Sequence, residues 1–279
     1  MIPQRNLSLL SNRLARKGGR RVPEAVLERD YCLSWFLVGL SKTPLTDILA
    51  FKGGTAIKKC YIPDYRFSED LDFTMREAVS FEKIQAYLAL VFENVEKASG
   101  IKIQVSRYDR HSHENSHTFF IAYEGPLPGT AVKEAKVDIT IQEKIVFPIV
   151  SNPVLKTYDE YEDLPDDAII SIYSINEIVS EKIVALFDPA RNEPRDLYDL
   201  WYLSTNKYVA LADLAEAVAL KMKFRGKELM DVKENFIRKE ARLKKLWNAR
   251  LAAQMATLPE FDEVFRATLR ELRQAGLLS

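Results

Sequence analysis

The sequence predicts an α+β protein in which a small mixed β-sheet flanked by helices precedes a mostly helical C-terminal region. Two observations support this prediction. Stretches rich in β-branched and aromatic residues are concentrated in the first half of the chain, and apolar residues recur at helical spacing over most of the chain after Asn176. The 279 residues, 47% of them hydrophobic, are enough for one large domain or two small ones.

The N-terminal part of the chain is predicted to be helical. In "PEAVLERDYCLSWFLVGLS" (23–41), a proline stands near the helix start and apolar residues recur at helical spacing. The segment "PLTDILA" (44–50) then leads to a pair of glycines. The longest apolar run, 31–41, is too short to cross a bilayer, so it predicts a buried helix and no membrane partner.

Three predicted strands follow an amphipathic helix at about 80–99. They are "IKIQVSRYD" (101–109), "HTFFIAYEG" (117–125) and "AKVDITIQ" (135–142). Each is rich in the β-branched or aromatic side chains that fit a pleated, half-buried surface.

The second half of the chain is predicted to be helical, because "NEIVSEKIVALFD" and "RDLYDLWYLS" alternate apolar and charged residues at helical period. An acidic, proline-containing stretch, 153–167, is the best candidate for a boundary. We therefore predict a core over residues 1–155, including its helical lead-in, and a mostly helical domain over residues 156–279.

Charge is balanced over the whole chain but not along it. Forty basic and forty acidic residues give no global field that would indicate a nucleic-acid or membrane partner. Residues 151–200, however, carry a net charge of −8, and residues 221–250 a net charge of +7. Only Cys32 and Cys60 are present, neither in a CxxC, which predicts no disulfide framework and a reducing, cytoplasmic compartment.

Two carboxylates, Asp70 and Asp72, lie one residue apart in "RFSEDLDF". On a strand, residues i and i+2 project to the same face, so these two side chains would lie side by side while Leu71 and Phe73 point into the core. Two carboxylates that close repel each other unless a cation lies between them, and a divalent metal is the natural cation. Asp138, in "KVDIT", alternates with apolar neighbours in the same way and could supply a third carboxylate for a phosphoryl displacement.

A glycine pair precedes these carboxylates in "KGGTAIKK" (52–59). Glycine lets a backbone approach a phosphate closely, and the N–H groups at a helix N-terminus attract anions. A plain turn or helix cap would have the same pattern. The pattern gains weight because one helix and a short loop would bring this turn and the carboxylates to the same edge of a sheet.

Together, Gly-Gly-Thr, Arg-Phe-Ser-Glu-Asp-Leu-Asp-Phe and the later strand Asp resemble the polymerase-β-like nucleotidyltransferase superfamily. More narrowly, they resemble the AbiEii/AbiGii-type nucleotidyltransferase toxins of bacterial toxin–antitoxin and phage-defence systems. "SEKIVALFDPARNEPRDLYDLWYLS" (180–204) is similar to later motifs of that family, so the resemblance spans about residues 50–204.

The resemblance implies a nucleotidyltransferase core that uses Mg²⁺ and an NTP. Asp70 and Asp72 would bind magnesium, and Asp138 would complete the metal-binding set. Lys182 and Asp196 would be catalytic residues on the helical side. The implied nucleotide-binding residues are Gly53, Gly54, Thr55, Lys58, Arg66 and Ser68.

The sequence allows more than one interpretation of two features of the helical side. Asp196 and Asp199 are three residues apart on one helix face, and the sequence does not decide which of them orients Lys182. The segment 221–250 interleaves cations with Phe224, Phe236 and Trp247. It predicts either a solvated helical face or a surface for RNA phosphate with the aromatic side chains in the core.

The three histidines of "HSHENSH" (111–117) are predicted to lie in a hairpin loop and not to bind zinc, since the polar stretch lacks the second-shell partners usual at such sites. The predicted function is a toxin that transfers a nucleoside monophosphate to the 3′ end of tRNA or to another RNA, blocking translation until a cognate antitoxin counteracts it. The alternatives are a nucleotide-binding protein without turnover and a metal-dependent glycosyltransferase that uses the Asp-x-Asp.

Overall fold

A computed structural model describes residues 1–18, 21–109, 114–129, 131–227 and 232–278. The chain divides into two compact units. The first comprises Met1–Glu143 and Ile149–Ile172, and the second comprises Lys144–Pro148 and Tyr173–Ser279. No helix in the described part of the chain is both long and apolar enough to cross a membrane.

The first unit contains five helices of the described chain and the sheet, except for Tyr173 at the end of the last strand. The helices are α1 (Gln4–Gly18), α2 (Glu24–Ser41), α3 (Leu45–Ile48), α4 (Gly53–Cys60) and α5 (Phe81–Ser99). The strands are β1 (Leu49–Lys52), β2 (Leu71–Met75), β3 (Lys102–Tyr108), β4 (Ser116–Glu124), β5 (Glu134–Thr140), β6 (Ile149–Pro153) and β7 (Ile169–Tyr173).

The seven strands form one mixed sheet in the order β3-β4-β5-β2-β1-β7-β6. β2 runs antiparallel to β1 and parallel to β5, so the two central neighbours of β2 come from distant parts of the sequence. Along β2 and β5 the residues Leu71, Phe73, Val137 and Ile139 are buried. The residues that alternate with them, including Asp72 and Asp138, project to the opposite, polar face.

Different features of the sequence favour helices α2 and α5. α2 is apolar almost all round, and thirteen of its residues are buried, as expected for a helix inside the core. α5 is preceded by the N-cap Ser80, whose hydroxyl accepts a hydrogen bond from the Lys83 amide, and is followed by Gly100 in the left-handed conformation (φ 75°).

The second unit is helical in its described part. Its α-helices are α6 (Ile175–Phe187), α7 (Pro194–Thr205), α8 (Ala215–Phe224), α9 (Val232–Arg238), α10 (Glu240–Leu251) and α11 (Phe261–Gln274), with a 3-10 helix at Leu211–Leu214. α6 starts at the N-cap Ser174, and α7 has Pro194 in its first turn.

A buried ion pair fixes the segment Lys144–Pro148 to this second unit. Glu177 and Lys221 are both fully buried, with 2.6 Å between the Glu177 carboxylate and the Lys221 ammonium. The Glu177 carboxylate also accepts hydrogen bonds from the amides of Val146 and Phe147, and the ammonium donates to the Lys144 carbonyl at 2.7 Å. The segment is therefore anchored by charge-assisted hydrogen bonds.

The predicted helices at 23–41 and 80–99 and the three predicted strands are confirmed, but three strands were not predicted. β1 is four residues long and wholly buried, so it shows no alternation. β6 and β7 flank the acidic stretch 153–167, and they extend the sheet beyond β1. The division predicted at 155/156 consequently falls inside the first unit.

Candidate active site

The glycine pair forms the turn from β1 into α4, and each glycine leaves space for a side chain of the predicted site. Gly53 has φ +81°, and a Cβ atom there would lie 2.6 Å from the Asp72 Oδ2 atom. A Cβ atom on Gly54 would lie 2.6 Å from the Arg66 Nη2 atom and 3.3 Å from the Ser68 hydroxyl. Any larger residue at these positions would displace those groups.

The loop before β2 is attached to this turn. The Thr55 hydroxyl, which is almost fully buried, donates a hydrogen bond to the Asp70 carbonyl oxygen. The Arg66 guanidinium is also buried and donates to the Phe67 carbonyl at 3.2 Å. The turn, Arg66, Ser68 and Asp70 are thus brought together, while the Thr55 hydroxyl proton is used within the protein.

Asp72 and Asp138 lie side by side on the polar face of the sheet. They are direct partners in the parallel β2–β5 pair, so their carboxylates occupy neighbouring positions on one face. Asp138 accepts a hydrogen bond from the Thr118 hydroxyl, and the Lys136 ammonium lies 3.8 Å from its carboxylate. Asp70 precedes the first residue of β2, so the structure places it at the strand entrance and not within the strand.

Lys52 belongs to the same polar face, although no sequence motif predicted a role for it. It is the direct partner of Asp72 in the antiparallel β1–β2 pair. Its ammonium donates to the Thr140 hydroxyl at 3.0 Å, and Thr140 lies two residues beyond Asp138 on β5. The one indication available from the sequence was its position directly before the glycine pair.

Lys58, predicted to bind nucleotide, is not brought to this face. Its side chain is fully buried, and its ammonium donates to the carbonyls of Pro63 and Tyr65 and to the Tyr158 hydroxyl, at 2.9, 3.2 and 3.1 Å. Burial lowers its pKa to about 8. Because all three of its donors are used inside the protein, the structure gives Lys58 the role of holding the loop that leads to Arg66.

The chemistry of the polar face suits a hard divalent cation. Among the described residues, no group of three or more His, Cys, Asp or Glu side chains is arranged to hold a metal ion. Mg²⁺, however, is usually held by one or two carboxylates together with substrate phosphates and water. The pair Asp72 and Asp138 fits that requirement, and Asp70, at the entrance to β2, stays a predicted third ligand.

In the second unit, Lys182 of α6 is held by two carboxylates of α7. Its ammonium lies 2.7 Å from the Asp196 carboxylate and 3.0 Å from the Asp199 carboxylate, both of which are buried. Arg191 also pairs with Asp196, at 2.7 Å. Burial by itself would raise the pKa of Asp196, but the nearby charges of Lys182 and Arg191 outweigh it and hold that pKa below its ordinary value. Both aspartates therefore contact Lys182.

Comparison with known protein families assigns this chain to one of them. A family profile described as "Nucleotidyl transferase AbiEii toxin, Type IV TA system" matches residues 35–267, which is most of the chain. The chain belongs to the AbiEii nucleotidyltransferase toxin family. It is therefore a nucleotidyltransferase toxin of a type IV toxin–antitoxin system, and its family implies an NTP substrate and a cognate antitoxin.

The fold of this AbiEii-family chain is similar to that of MenT4, a nucleotidyltransferase toxin from Mycobacterium tuberculosis H37Rv. The similarity has a TM-score of 0.61 at 18% sequence identity, and it covers 96% of this chain and 93% of MenT4. No curated protein matches the sequence. The family assignment confirms the resemblance seen in the motifs and excludes the glycosyltransferase alternative.

Two further predictions concern residues outside the carboxylate face of the AbiEii-family chain. His111 and His113 lie outside the described residues. His117 stacks on Phe81, with 4.3 Å between ring centroids, and burial lowers its pKa. This contact gives His117 a packing role between α5 and β4.

In the basic segment 221–250, Phe236 and Trp247 are buried, as the RNA-surface alternative requires, but Phe224 is 51% exposed. Phe224 is the last residue of α8, where the helix ends. Two of the cations, Lys221 and Lys239, are buried too, and the Lys239 ammonium donates to the Leu186 and Arg191 carbonyls. The segment is therefore partly core, and only its remaining cations could contact a polyanion.

Proposed function

We propose that this toxin uses Mg²⁺ to transfer a nucleoside monophosphate from an NTP to an RNA acceptor, the 3′ end of tRNA, and thereby blocks translation until its antitoxin counteracts it. In this reaction an RNA hydroxyl attacks the α-phosphate of the NTP, a new P–O bond forms, and pyrophosphate leaves. The observation that best supports the proposal is the in-register pair Asp72 and Asp138 beside the glycine turn, in a chain of the AbiEii family.

Asp72 and Asp138 would hold the magnesium, since their carboxylate oxygens are hard ligands on one face of the sheet. When bound, the metal supplies positive charge that stabilises the transferring phosphate. The backbone N–H groups at the start of α4 would receive the other phosphates, because a helix N-terminus attracts anions. Arg66 and Ser68, which border Gly54, would support that contact.

Lys182 and Asp196 are proposed as the catalytic residues of the helical unit, on the strength of the motif resemblance. The structure supports a preorganised ammonium there, because two buried carboxylates hold Lys182 in one position. A fixed cation can stabilise charge that develops in a transition state without the cost of reorganisation.

The RNA acceptor is supported by exposed cations on α9 and α10. These are Lys233, Arg238, Arg242, Lys244, Lys245 and Arg250. Within the described residues, Arg238 is paired with Glu234 and Lys244 with Asp262, and no ion pair is seen for the other four. Cations that have no carboxylate partner are available to neutralise RNA phosphates.

The test is label transfer from each α-³²P-labelled NTP to total tRNA by the purified full chain with Mg²⁺. Asp72→Asn and Asp138→Asn should each abolish transfer, because each removes a carboxylate ligand while keeping side-chain volume. Asp167→Asn is the matched control, since Asp167 is an exposed partner of Lys42. Transfer at the wild-type rate by either site variant would refute the metal assignment. NTP binding without transfer by the wild-type protein would favour the alternative of binding without turnover.

A further inference from the structure

The Lys52 side chain crosses the central strand of the sheet on the face that carries the two carboxylates. It starts on β1 and its ammonium reaches Thr140 on β5, and β2 lies between these two strands. Asp72 is the residue of β2 directly opposite Lys52, and Asp138 is the direct partner of Asp72 on β5. The ammonium is therefore anchored on the strand that carries Asp138, on the same face as both carboxylates.

This position places the positive charge of a nearly buried lysine on the same face of the sheet as two negative charges. Lys52 is only 9% exposed, and lysine is almost never buried to that degree unless it is paired. Like charges directly opposite each other on neighbouring strands destabilise a sheet. Without a cation nearby, Asp72 and Asp138 would form such a repelling pair of like charges.

Two other cations near the pair are less well placed to offset the repulsion between its carboxylates. Lys136 lies 3.8 Å from the Asp138 carboxylate, but it is 41% exposed, so water screens its charge. Arg66 borders Gly54 and donates a hydrogen bond to the Phe67 carbonyl. Lys52 is both shielded from water and fixed by a hydrogen bond on the carboxylate face.

We propose that Lys52 is the resident counter-ion of the Asp72–Asp138 pair, a positioning residue that holds both carboxylates in place before the divalent metal binds. The metal part of this proposal rests on the proposed function. Lys52 then sets the affinity of the site for metal, because a fixed ammonium beside the pair opposes the approach of a second cation. The protein would thus be stable without metal and would bind metal more weakly than the bare carboxylate pair would.

The experiment compares the full-length wild-type protein with Lys52→Met, which keeps the aliphatic stem, and with Lys136→Met as the matched control. Thermal unfolding is followed in EDTA and in a Mn²⁺ titration without NTP. In EDTA, Lys52→Met should unfold several degrees below wild type. Its Mn²⁺ dissociation constant should be lower by about ten-fold, and Lys136→Met should change that constant by less than about two-fold.

The double variant Lys52→Met/Asp72→Asn separates the counter-ion role from a packing role. Removing one carboxylate should restore much of the stability that Lys52→Met loses in EDTA, since the repulsion is then gone. If Lys52→Met fails to fold, recovery of folding in the double variant supports the proposal, and no recovery overturns it. Equal losses of stability in both backgrounds would show that Lys52 acts by packing alone.

The two proposals can fail separately. If Mn²⁺ and Mg²⁺ leave wild-type unfolding unchanged and Asp72→Asn retains label transfer, the metal site is refuted, while the EDTA comparison still decides the counter-ion role. If metal stabilises the wild type and Lys52→Met has the same metal affinity and EDTA stability as wild type, the counter-ion proposal is refuted and the metal site stands.

Discussion

Replacing Gly53 by alanine tests whether the glycine turn and the carboxylate face form one site. The new Cβ atom would stand 2.6 Å from the Asp72 Oδ2 atom, so the carboxylate must retreat by about 0.8 Å to reach ordinary contact at 3.4 Å. A misplacement of about 1 Å at a reacting centre can lower a rate about 100-fold. We therefore expect Gly53→Ala to reduce nucleotidyl transfer by about two orders of magnitude.

Gly53→Ala should also destabilise the protein for two separable reasons. Its φ of +81° costs a residue with a Cβ about 1–2 kcal/mol, and the displaced Asp72 side chain adds about 1 kcal/mol for leaving its rotamer. Gly100→Ala is the matched control for the cost of placing a Cβ atom on a residue with positive φ. Gly100 has φ +75°, and a Cβ atom there meets nothing within 4 Å among the described residues.

The assays are urea unfolding and label transfer for Gly53→Ala, Gly100→Ala, Asp72→Ala and the double variant Gly53→Ala/Asp72→Ala. In the Asp72→Ala background the colliding oxygen is absent, so Gly53→Ala should cost no more stability than Gly100→Ala does in the wild type. Wild-type transfer by Gly53→Ala would refute the reasoning. An equal stability loss in Gly53→Ala and Gly100→Ala would refute it as well.

Three further outcomes are expected. Lys182→Met should lower the free energy of unfolding by about 3 kcal/mol in urea, because the buried Asp196 and Asp199 lose the ammonium that they share while Arg191 stays paired with Asp196, and it should lower kcat by about 10²–10³-fold with a smaller change in the KM for NTP. An unchanged kcat in the folded variant would contradict its catalytic assignment. Lys58 has a folded-state pKa of about 8, against 10.5 when unfolded, so between those pH values the unfolded chain holds the proton that the native state releases. Wild-type stability should thus rise relative to Lys58→Met by up to about 3 kcal/mol from pH 8 to 10.5, and parallel pH profiles in urea would contradict this. The double variant Arg242→Ala/Lys245→Ala should weaken tRNA binding and reduce the slope of log K for binding against log salt concentration by about two. Lys244→Ala is the control with a smaller expected effect, because the Lys244 ammonium is paired with a carboxylate. An unchanged slope would show that these cations form only a solvated face.

Local patterns in the sequence were enough to predict most helices, strands β3 to β5 and the residues of the carboxylate face. Alternation around Asp72 and Asp138 predicts that each faces away from the core, because the side-chain period of a strand is two wherever the strand pairs. The glycine pair likewise predicts a tight turn from residue type alone. Short, wholly buried β1 gave no such pattern and was missed.

Tertiary structure alone decided which residues meet and which charges are buried. The register that aligns Asp72 with Asp138 joins segments 66 positions apart, and no local pattern specifies it. In "KGGTAIKK" only Lys58 was predicted to contact nucleotide, yet Lys52 reaches the carboxylate face and Lys58 is buried, with its ammonium donating to the Tyr158 hydroxyl. The physical reason is that burial and hydrogen-bond partners are supplied by distant parts of the chain, so a lysine's role depends on the strand or loop packed against it and not on its neighbours in sequence.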